Sequence, residues 1–319
     1  MYRLYSFVLP AYKARFLKQA IDSILAQTYT KFELIIVNDA SPENLDSIVN
    51  GYTDERIHYY KNETNLGGKD LVGQWNHCLE FAKGEYVILA SDDDVYDPLY
   101  LSVMSSLVDK YPKVNVLRPR VNYIDADNRA IGVEGYLNEY MSSLEFIYAW
   151  VRTWTGSGIP FYMFKRTALI DAGGFASYPL AWFSDDSTVL RLSHNGVVAS
   201  QKVLFSFRLS GESISTRYNT KDVLDKKLSA TELFYEEILM LLKEYKPINS
   251  YELFVINDLN KILPDFFQKH KILGQLFGSD IWTVLSFTPR VLKMEQVKYM
   301  TYLKYFIFYV ISNFKSIMS

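Results

Sequence analysis

One cysteine, Cys78, in 319 residues excludes a disulfide framework and the usual structural zinc sites, and fits a reducing compartment. The four histidines (His58, His77, His194 and His270) never fall into H-E-x-x-H or another metal-ligand spacing. An excess of one charge is missing too: 34 Lys and Arg against 36 Asp and Glu leave a formal charge of −2. A chain without a global positive field grips nucleic acid only through a local basic stripe. None occurs outside the C-terminal tail, so no nucleic-acid partner is expected. No stretch reaches the roughly 18 uninterrupted apolar residues of a spanning helix. Met1–Pro10 carries one charge and a very short apolar run that breaks at proline, unlike a secretory leader. The expectation is a chain that stays in the cytoplasm.

What is present is apolar and aromatic. A hydrophobic fraction of 49% with 22% charge belongs to a chain that buries a core, which argues against disorder. The length leaves room for about two average domains, or one large α/β domain with an appendage. Aromatics reach 16%, with 25 Tyr and 20 Phe, enough for stacking surfaces or a membrane-facing region.

Residues 4–9 read as a buried strand ended by Pro10-Ala11-Tyr12. Phe16, Leu17, Ala20, Ile21, Ile24 and Leu25 then fall at helical spacing. Phe32–Val37 reads as a second strand, stopped by the turn cluster Asn38-Asp39-Ala40-Ser41-Pro42. Helical pattern from Asn44 to Val49, a strand at Ile57–Tyr60, a helix over 69–83 and a strand at Tyr86–Ala90 follow. The last runs straight into Ser91-Asp92-Asp93-Asp94. This cadence predicts parallel βαβ units with helices on both sheet faces. Ligands of such sheets sit beyond the carboxyl ends of the strands. Tyr12, Asp39 and Asp92–Asp94 each follow a strand, so they should gather on one rim. Beyond 114 the pattern is less regular, with short strands expected at 114–117 and 121–124 and helices around 142–152 and Ser187–Ser193. Residues 222–319 read as helical almost throughout. The Ser/Thr/Asn-rich stretch Ser213–Thr220 divides the chain into 1–220 and 221–319.

Three adjacent carboxylates repel one another unless a cation or hydrogen bonds relieve them. Hard oxygen ligands of this kind suit Mg²⁺ or Mn²⁺, which complete their shells with water and substrate phosphates. The competing reading is a solvated turn capping the helix near Pro98. Other phosphate sites fail on inspection. A P-loop needs glycine where Glu63 stands and Ser or Thr where Asp70 stands. No G-x-G-x-x-G follows the first strand, and Tyr96 breaks the D-x-D-x-[TV] pattern of an aspartate-nucleophile phosphatase.

Phe7-Val-Leu-Pro-Ala-Tyr12, Ala20–Tyr29 and Phe32–Ser41 resemble the opening of family 2 glycosyltransferases with the GT-A fold. The resemblance continues through Ala82-Lys-Gly-Glu-Tyr-Val87, Ser91–Asp94 and Pro98. Its acceptor-side half is Gly173-Gly-Phe175, Asp185-Asp186, Arg191-Leu192 and Phe207-Arg208…Ser213-Ile-Ser215. It spans roughly residues 4–215 and implies an α/β, Rossmann-like, mostly parallel sheet flanked by helices. It further implies that Pro10-Ala11-Tyr12 floors a nucleotide pocket, with Tyr12 stacking on the base. Asp39 would accept a hydrogen bond from the base and Lys69 would reach the base or a phosphate. Asp92 would hold the ribose, and Asp93 the divalent metal, Mn²⁺ or Mg²⁺. Asp185, with Asp186 beside it, would be the catalytic base. Asn38 and Ser91 depart from the family pattern by standing where many members carry an Asp.

The function so implied is inverting, metal-dependent transfer of a sugar from a nucleotide donor, a UDP-sugar first among them, to a hydroxyl of a saccharide or lipid-linked acceptor. Its setting would be surface-polysaccharide assembly at the inner face of the plasma membrane. Nucleotidyl transfer and a non-catalytic sugar-nucleotide binding module are the alternatives; Pro10-Ala11-Tyr12 is a poor triphosphate loop, and Asp93 with Asp185 speaks against the module. Outside the resemblance, Trp75, Asn76 and Cys78 read as packing residues, while Trp154, Gly156-Ser157-Gly158 and Trp182-Phe183 could line an acceptor site. Residues 298–315 mix aromatics with lysines, which suits peripheral membrane contact, a core helix or a dimer helix.

Overall fold

The computed structural model describes residues 3–153, 155–210 and 220–318, with side chains as far as residue 312. Trp154 and the segment Ser213-Ile-Ser215 lie outside the described residues. The chain forms two compact units, Met1–Ser213 and Ile214–Ser319.

In the first unit β1 (Tyr5–Ala11), α1 (Leu17–Leu25), β2 (Phe32–Asn38), α2 (Leu45–Val49), β3 (Ile57–Lys61), α3 (Leu71–Leu79) and β4 (Tyr86–Leu89) follow in order. The strands lie β3-β2-β1-β4, all parallel. Helices cover both faces of such a sheet, so its inner strands β2, β1 and β4 are buried almost throughout rather than alternating, while the edge strand β3 is partly exposed. All seven residues of β2 are buried. β1 does not stop at Pro10, as its sequence predicts. Pro10 pairs opposite Val37 and Ala11 opposite Asn38. The reason is the neighbouring strand: Ala90 N–H donates to Val8 O at 2.7 Å, and β4 has ended by the level of Pro10. The N–H that proline lacks has no ladder partner there.

The unit continues through β5 (Val95–Tyr96), α4 (Tyr100–Lys110), β6 (Val116–Ile124), β7 (Ala130–Val133), β8 (Tyr140–Met141) and α5 (Ser143–Thr153). β9 (Met163–Lys165), α6 (Arg166–Asp171), α7 (Ser184–Leu192) and β10 (Val197–Arg208) complete it. The strand order is β3-β2-β1-β4-β9-β6-β10-β5, with β7 on β6 and β8 on β10. The predicted α/β architecture is therefore present, joined to antiparallel pairings on its second side. Two short strands expected at 114–117 and 121–124 are one strand, β6, running through Pro119. Opposite that proline β10 bulges, with Arg118 facing Ala199 and Arg120 facing Val203, so Ser200–Lys202 loop past the missing donor. β9 runs antiparallel to β4 with Ile88 opposite Met163. The turn Ile159–Phe161 before β9 thus lies at the sheet edge where β4 releases the acidic run.

The second unit is helical: α8 (Lys221–Glu244), α9 (Ser250–Phe266), a π-helical segment Phe267–Leu273, α10 (Gly274–Leu276), α11 (Ile281–Val291) and α12 (Tyr299–Met318). Caps mark the starts. Thr220 accepts from Val223 N–H, Asn249 from Glu252 N–H, and Asp280 from Trp282 and Thr283 N–H. Leu224, Leu228, Ile272, Leu276, Val284 and Tyr302 share a core. On α12, Tyr302, Tyr305, Phe306 and Tyr309 form one stripe around Phe277, with ring centroids 5.4–6.4 Å away. The aromatic richness of the tail is thus largely inward. Ile307, Phe308 and Ile311 face outward. Among the described residues no helix is long and apolar enough to cross a membrane.

Candidate active site

The loop after β1 is held from two directions. Asp92 Oδ2, at the end of β4, accepts from the N–H groups of Tyr12 (2.9 Å) and Lys13 (2.8 Å). From the turn after β2, Ser41 Oγ donates to Tyr12 O (2.5 Å) and Glu43 accepts from Ala14 N–H (2.7 Å). The chain there turns through Ala40 in the left-handed region, φ 50°. Tyr12 is left 39% exposed on the rim, while Ala11 beneath is buried. Burial raises the Asp92 carboxyl above its ordinary range, against the pull of the Lys13 and Tyr12 amides.

Asp39 is buried and accepts three hydrogen bonds. Its Oδ1 accepts from Asn62 Nδ2 (2.7 Å) and Leu66 N–H (2.8 Å), and its Oδ2 from Gly67 N–H (2.7 Å). A Cβ on Gly67 would stand 2.9 Å from Asp39 Oδ2, so only glycine lets the loop close onto the carboxylate. Asp39 therefore shapes the loop that carries Lys69, which is exposed immediately before Asp70 caps α3.

The acidic run is only partly relieved by the protein itself, since among the described residues Asp94 Oδ2 is buried without a hydrogen-bond partner. Asp94 is fully buried, and its Oδ1 accepts from Arg208 N–H at 2.8 Å. Arg208 Nε donates to Asp93 O (2.6 Å), Nη1 to Asp125 O (3.0 Å) and Nη2 to Gln19 Oε1 (2.8 Å), while the guanidinium lies 4.2 Å over Phe16. A buried cation thus lies close enough to Asp93 and Asp94 to interact with both charges. Burial pushes the Asp94 carboxyl well up, with the charge of Asp93 adding to it. Asp93 is half-buried, with the Ser91 hydroxyl donating to Oδ1. Among the described residues no three His, Cys, Asp or Glu side chains form a cage for an ion. A divalent cation that takes one or two carboxylates and fills its shell with substrate phosphates does not need one. Asp93 fits that role, and Arg208, which the sequence places only in the acceptor-side motif, lies beside it.

Asp185 and Asp186 do not occupy the N-cap of their helix. The helix starts at Ser184 and places both in its first turn, after Phe183 in the N-cap position. Leu180 (φ 58°), Ala181 (φ 55°) and Phe183 (φ 70°) are all left-handed and none is glycine. Each costs about 1–2 kcal/mol. Strain of this kind persists where surrounding contacts over-determine it and gathers at functional sites. Those contacts are visible: Tyr178 N–H donates to Ser184 Oγ, and Ala176 N–H to Thr188 Oγ1. Asn76 grips Phe175 through N–H to Oδ1 at 2.8 Å and Nδ2 to the carbonyl at 3.4 Å. A residue expected only to pack thus ties α3 to the Gly173-Gly174-Phe175 turn. The buried Tyr162, at the start of β9, has its phenol pushed up by burial, with Asp186 and Asp185 adding to the effect. The helix that carries the acidic pair and strand β4 both pack against the turn Ile159–Phe161.

A model of glycosyl transferase family 2 matches residues 6–172. A protein of Rickettsia typhi named a glycosyltransferase is 33% identical over 115 residues, covering 36% of this chain and 35% of that one. WcaA of Escherichia coli, which carries the name of a colanic acid biosynthesis glycosyl transferase, is 39% identical over 87 residues, 27% of this chain and 30% of that one. The chain thus spans about a third of the length of these relatives. Among solved structures, S. aureus TarS 1-349 in complex with UDP-GlcNAc superposes with TM-score 0.67 at 18% identity, over 91% of this chain and 80% of that one. The mannosyltransferase PcManGT from Pyrobaculum calidifontis, in complex with GDP-Man and Mn²⁺, gives 0.54 at 15% identity, over 98% and 87%.

Proposed function

This chain belongs to glycosyl transferase family 2, and from that premise we propose that it moves a sugar from a nucleoside diphosphate sugar to an acceptor hydroxyl. The observation that carries the reading is the rim itself. The loops of Tyr12, Asp39 and the acidic run are tied to one another at the carboxyl ends of parallel strands, where α/β sheets receive ligands. Pro10 and Ala11 floor the nucleotide site and the exposed Tyr12 ring stacks on the base. Asp39 serves the base by holding the Leu66–Lys69 loop, and Asp92 serves the ribose from the foot of the Tyr12 loop. Lys69 reaches the base or a phosphate. A UDP-sugar is the first donor to test, in keeping with the UDP-GlcNAc bound by TarS.

Asp93 would hold Mn²⁺ or Mg²⁺, in keeping with the Mn²⁺ of PcManGT. When bound, that ion supplies Lewis-acid neutralisation of the charge growing on the departing diphosphate. Asp185 takes the proton of the attacking acceptor hydroxyl, with Asp186 beside it. One base and direct displacement at the anomeric carbon give inversion. The acceptor is a saccharide, free or lipid-linked, in surface-polysaccharide assembly, which the name of WcaA supports. We place the reaction at the cytoplasmic face of a membrane, with the outward face of α12 and its lysines as the contact.

Thermal shift against a panel of nucleotide sugars, with and without Mn²⁺, tests the donor site, because a ligand bound only by the folded state raises apparent stability. A metal-dependent rise for one nucleotide class, lost in Asp93→Asn, is expected. No rise for any nucleotide sugar at millimolar concentration, with or without Mn²⁺, overturns the reading.

A further inference from the structure

Away from the acidic run, the first unit buries a second charged pair that the proposed chemistry does not use. Arg118, on β6, is fully buried, and its Nη2 lies 2.7 and 2.6 Å from the two carboxylate oxygens of Glu134. Glu134 also accepts from Val121 N–H at 3.1 Å. Removing two charges from water costs several kcal/mol per ion, and apolar replacements often do as well or better, so such a pair is weak evidence for stability. Its other contacts point outward to the rim. Arg118 Nη1 donates to Gly156 O at 3.2 Å, and the guanidinium lies 5.8 Å over Phe161 and 5.4 Å over Tyr162. A Cβ on Gly156 would collide with the Tyr123 hydroxyl and sit 3.0 Å from Glu134 Oε1. One on Gly158 would press on the Phe161 ring at 3.2 Å. The glycines thus let the loop lie directly on the ion pair. Ser157, between them, is half-exposed, with its Oγ 3.5 Å from the Tyr162 hydroxyl. The following turn, Ile159–Phe161, packs against α7, which carries Asp185 and Asp186.

We infer that Arg118 and Glu134 are positioning residues that hold the Thr155–Gly158 loop as one wall of the transfer centre, where Ser157 hydrogen-bonds a sugar hydroxyl. The inference rests on the glycosyltransferase reading above. The sugar is the donor's or the acceptor's, since both meet at that point. Displacing a positioned group by an ångström costs about 10²-fold in rate. Losing one hydrogen bond to a hydroxyl costs roughly tenfold.

The test uses the whole chain, the donor found by thermal shift, and the variants Ser157→Ala and Arg118→Lys. Ser157→Ala removes only a half-exposed hydroxyl, so it keeps the proposal decidable if Arg118→Lys does not fold. Both variants should bind the free nucleoside diphosphate as wild type does. Transfer kcat/KM should fall about tenfold in Ser157→Ala and about a hundredfold in Arg118→Lys. A rise in acceptor KM assigns the loop to the acceptor, and a rise in donor-sugar KM without loss of nucleotide affinity assigns it to the donor. Folded variants with kcat/KM within twofold of an active wild type overturn the inference alone. A wild type that binds and transfers no nucleotide sugar brings down the functional reading and this inference with it.

Discussion

Replacing Asp39 with Asn separates two jobs that a sequence merges. If Asp39 served only as a base contact, Asp39→Asn would leave the nucleotide-free protein untouched. The structure demands otherwise. The amide oxygen can replace Oδ1 and keep the bonds from Asn62 and Leu66. Its NH₂ then faces the Gly67 N–H, donor against donor, at the place where Oδ2 accepted at 2.7 Å. One hydrogen bond to a charged acceptor, worth about 1.5–3 kcal/mol, is lost, and a half-buried N–H goes unsatisfied at about 1–3 kcal/mol. These terms overlap, and together they amount to about 2–3 kcal/mol of local stability. That corresponds to a roughly 30- to 150-fold larger opening equilibrium constant for the 62–67 loop. Native-state hydrogen exchange at the Leu66 and Gly67 amides, without nucleotide, reads this directly. Nucleotide affinity should fall at least in step. Protection at both amides within threefold of wild type would refute the loop-holding role and return Asp39 to a simple ligand contact.

Asp185→Asn should keep donor binding and lower turnover by at least roughly 10²–10⁴-fold, with Asp186→Asn far milder. The reverse order moves the base by one residue, and NMR of the first product should show an inverted anomeric centre. Combined Ile307→Ser, Phe308→Ser and Ile311→Ser should release the protein from phosphatidylglycerol vesicles without unfolding it, since Tyr302 and Phe306 stay in the core. Equal flotation of wild type and variant would rule out that face. Lys227 is buried on α8, its Nζ 3.2 Å from Gln275 Oε1, and burial lowers its pKa. The unfolded chain therefore binds more protons between the folded value and about 10.5, so stability rises with pH there. Lys227→Met should raise the helical unit's melting temperature by a few degrees and remove that slope; an unchanged slope would place its origin elsewhere.

The first half of the fold was legible because β1, β2 and β4 are continuous apolar runs ended by turn residues, the pattern of strands covered on both faces. The second half was not. β6 carries Pro119 in its middle and β10 carries Ser200-Gln201-Lys202, and each looks like a break until the two are set side by side as a bulge. The rim was likewise legible in its carboxylates but not in what occupies them. Asp39 and Asp92 look free as sequence because, apart from Asn62 on Asp39, their partners are backbone amides, which leave no trace in residue identity. Arg208 and Asn76 stand far in sequence from the carbonyls they bind, and only the folded sheet brings them there.

The clasp between Arg208 and the acidic run also sets a timetable. Asp94 and Arg208 are 114 positions apart, whereas β1 to β4 pair within the first ninety or so residues. At about 5–20 residues per second, a growing chain carries Asp93 and Asp94 for roughly 6–23 s before the arginine beside them has been made. Contacts of such separation close late in folding as well, because the intervening loop must first be ordered. A polypeptide halted between β4 and β10 can therefore hold the four parallel strands and still lack the arginine beside Asp93 and Asp94, so the surroundings of the acidic run are completed only after most of the first unit has been synthesised.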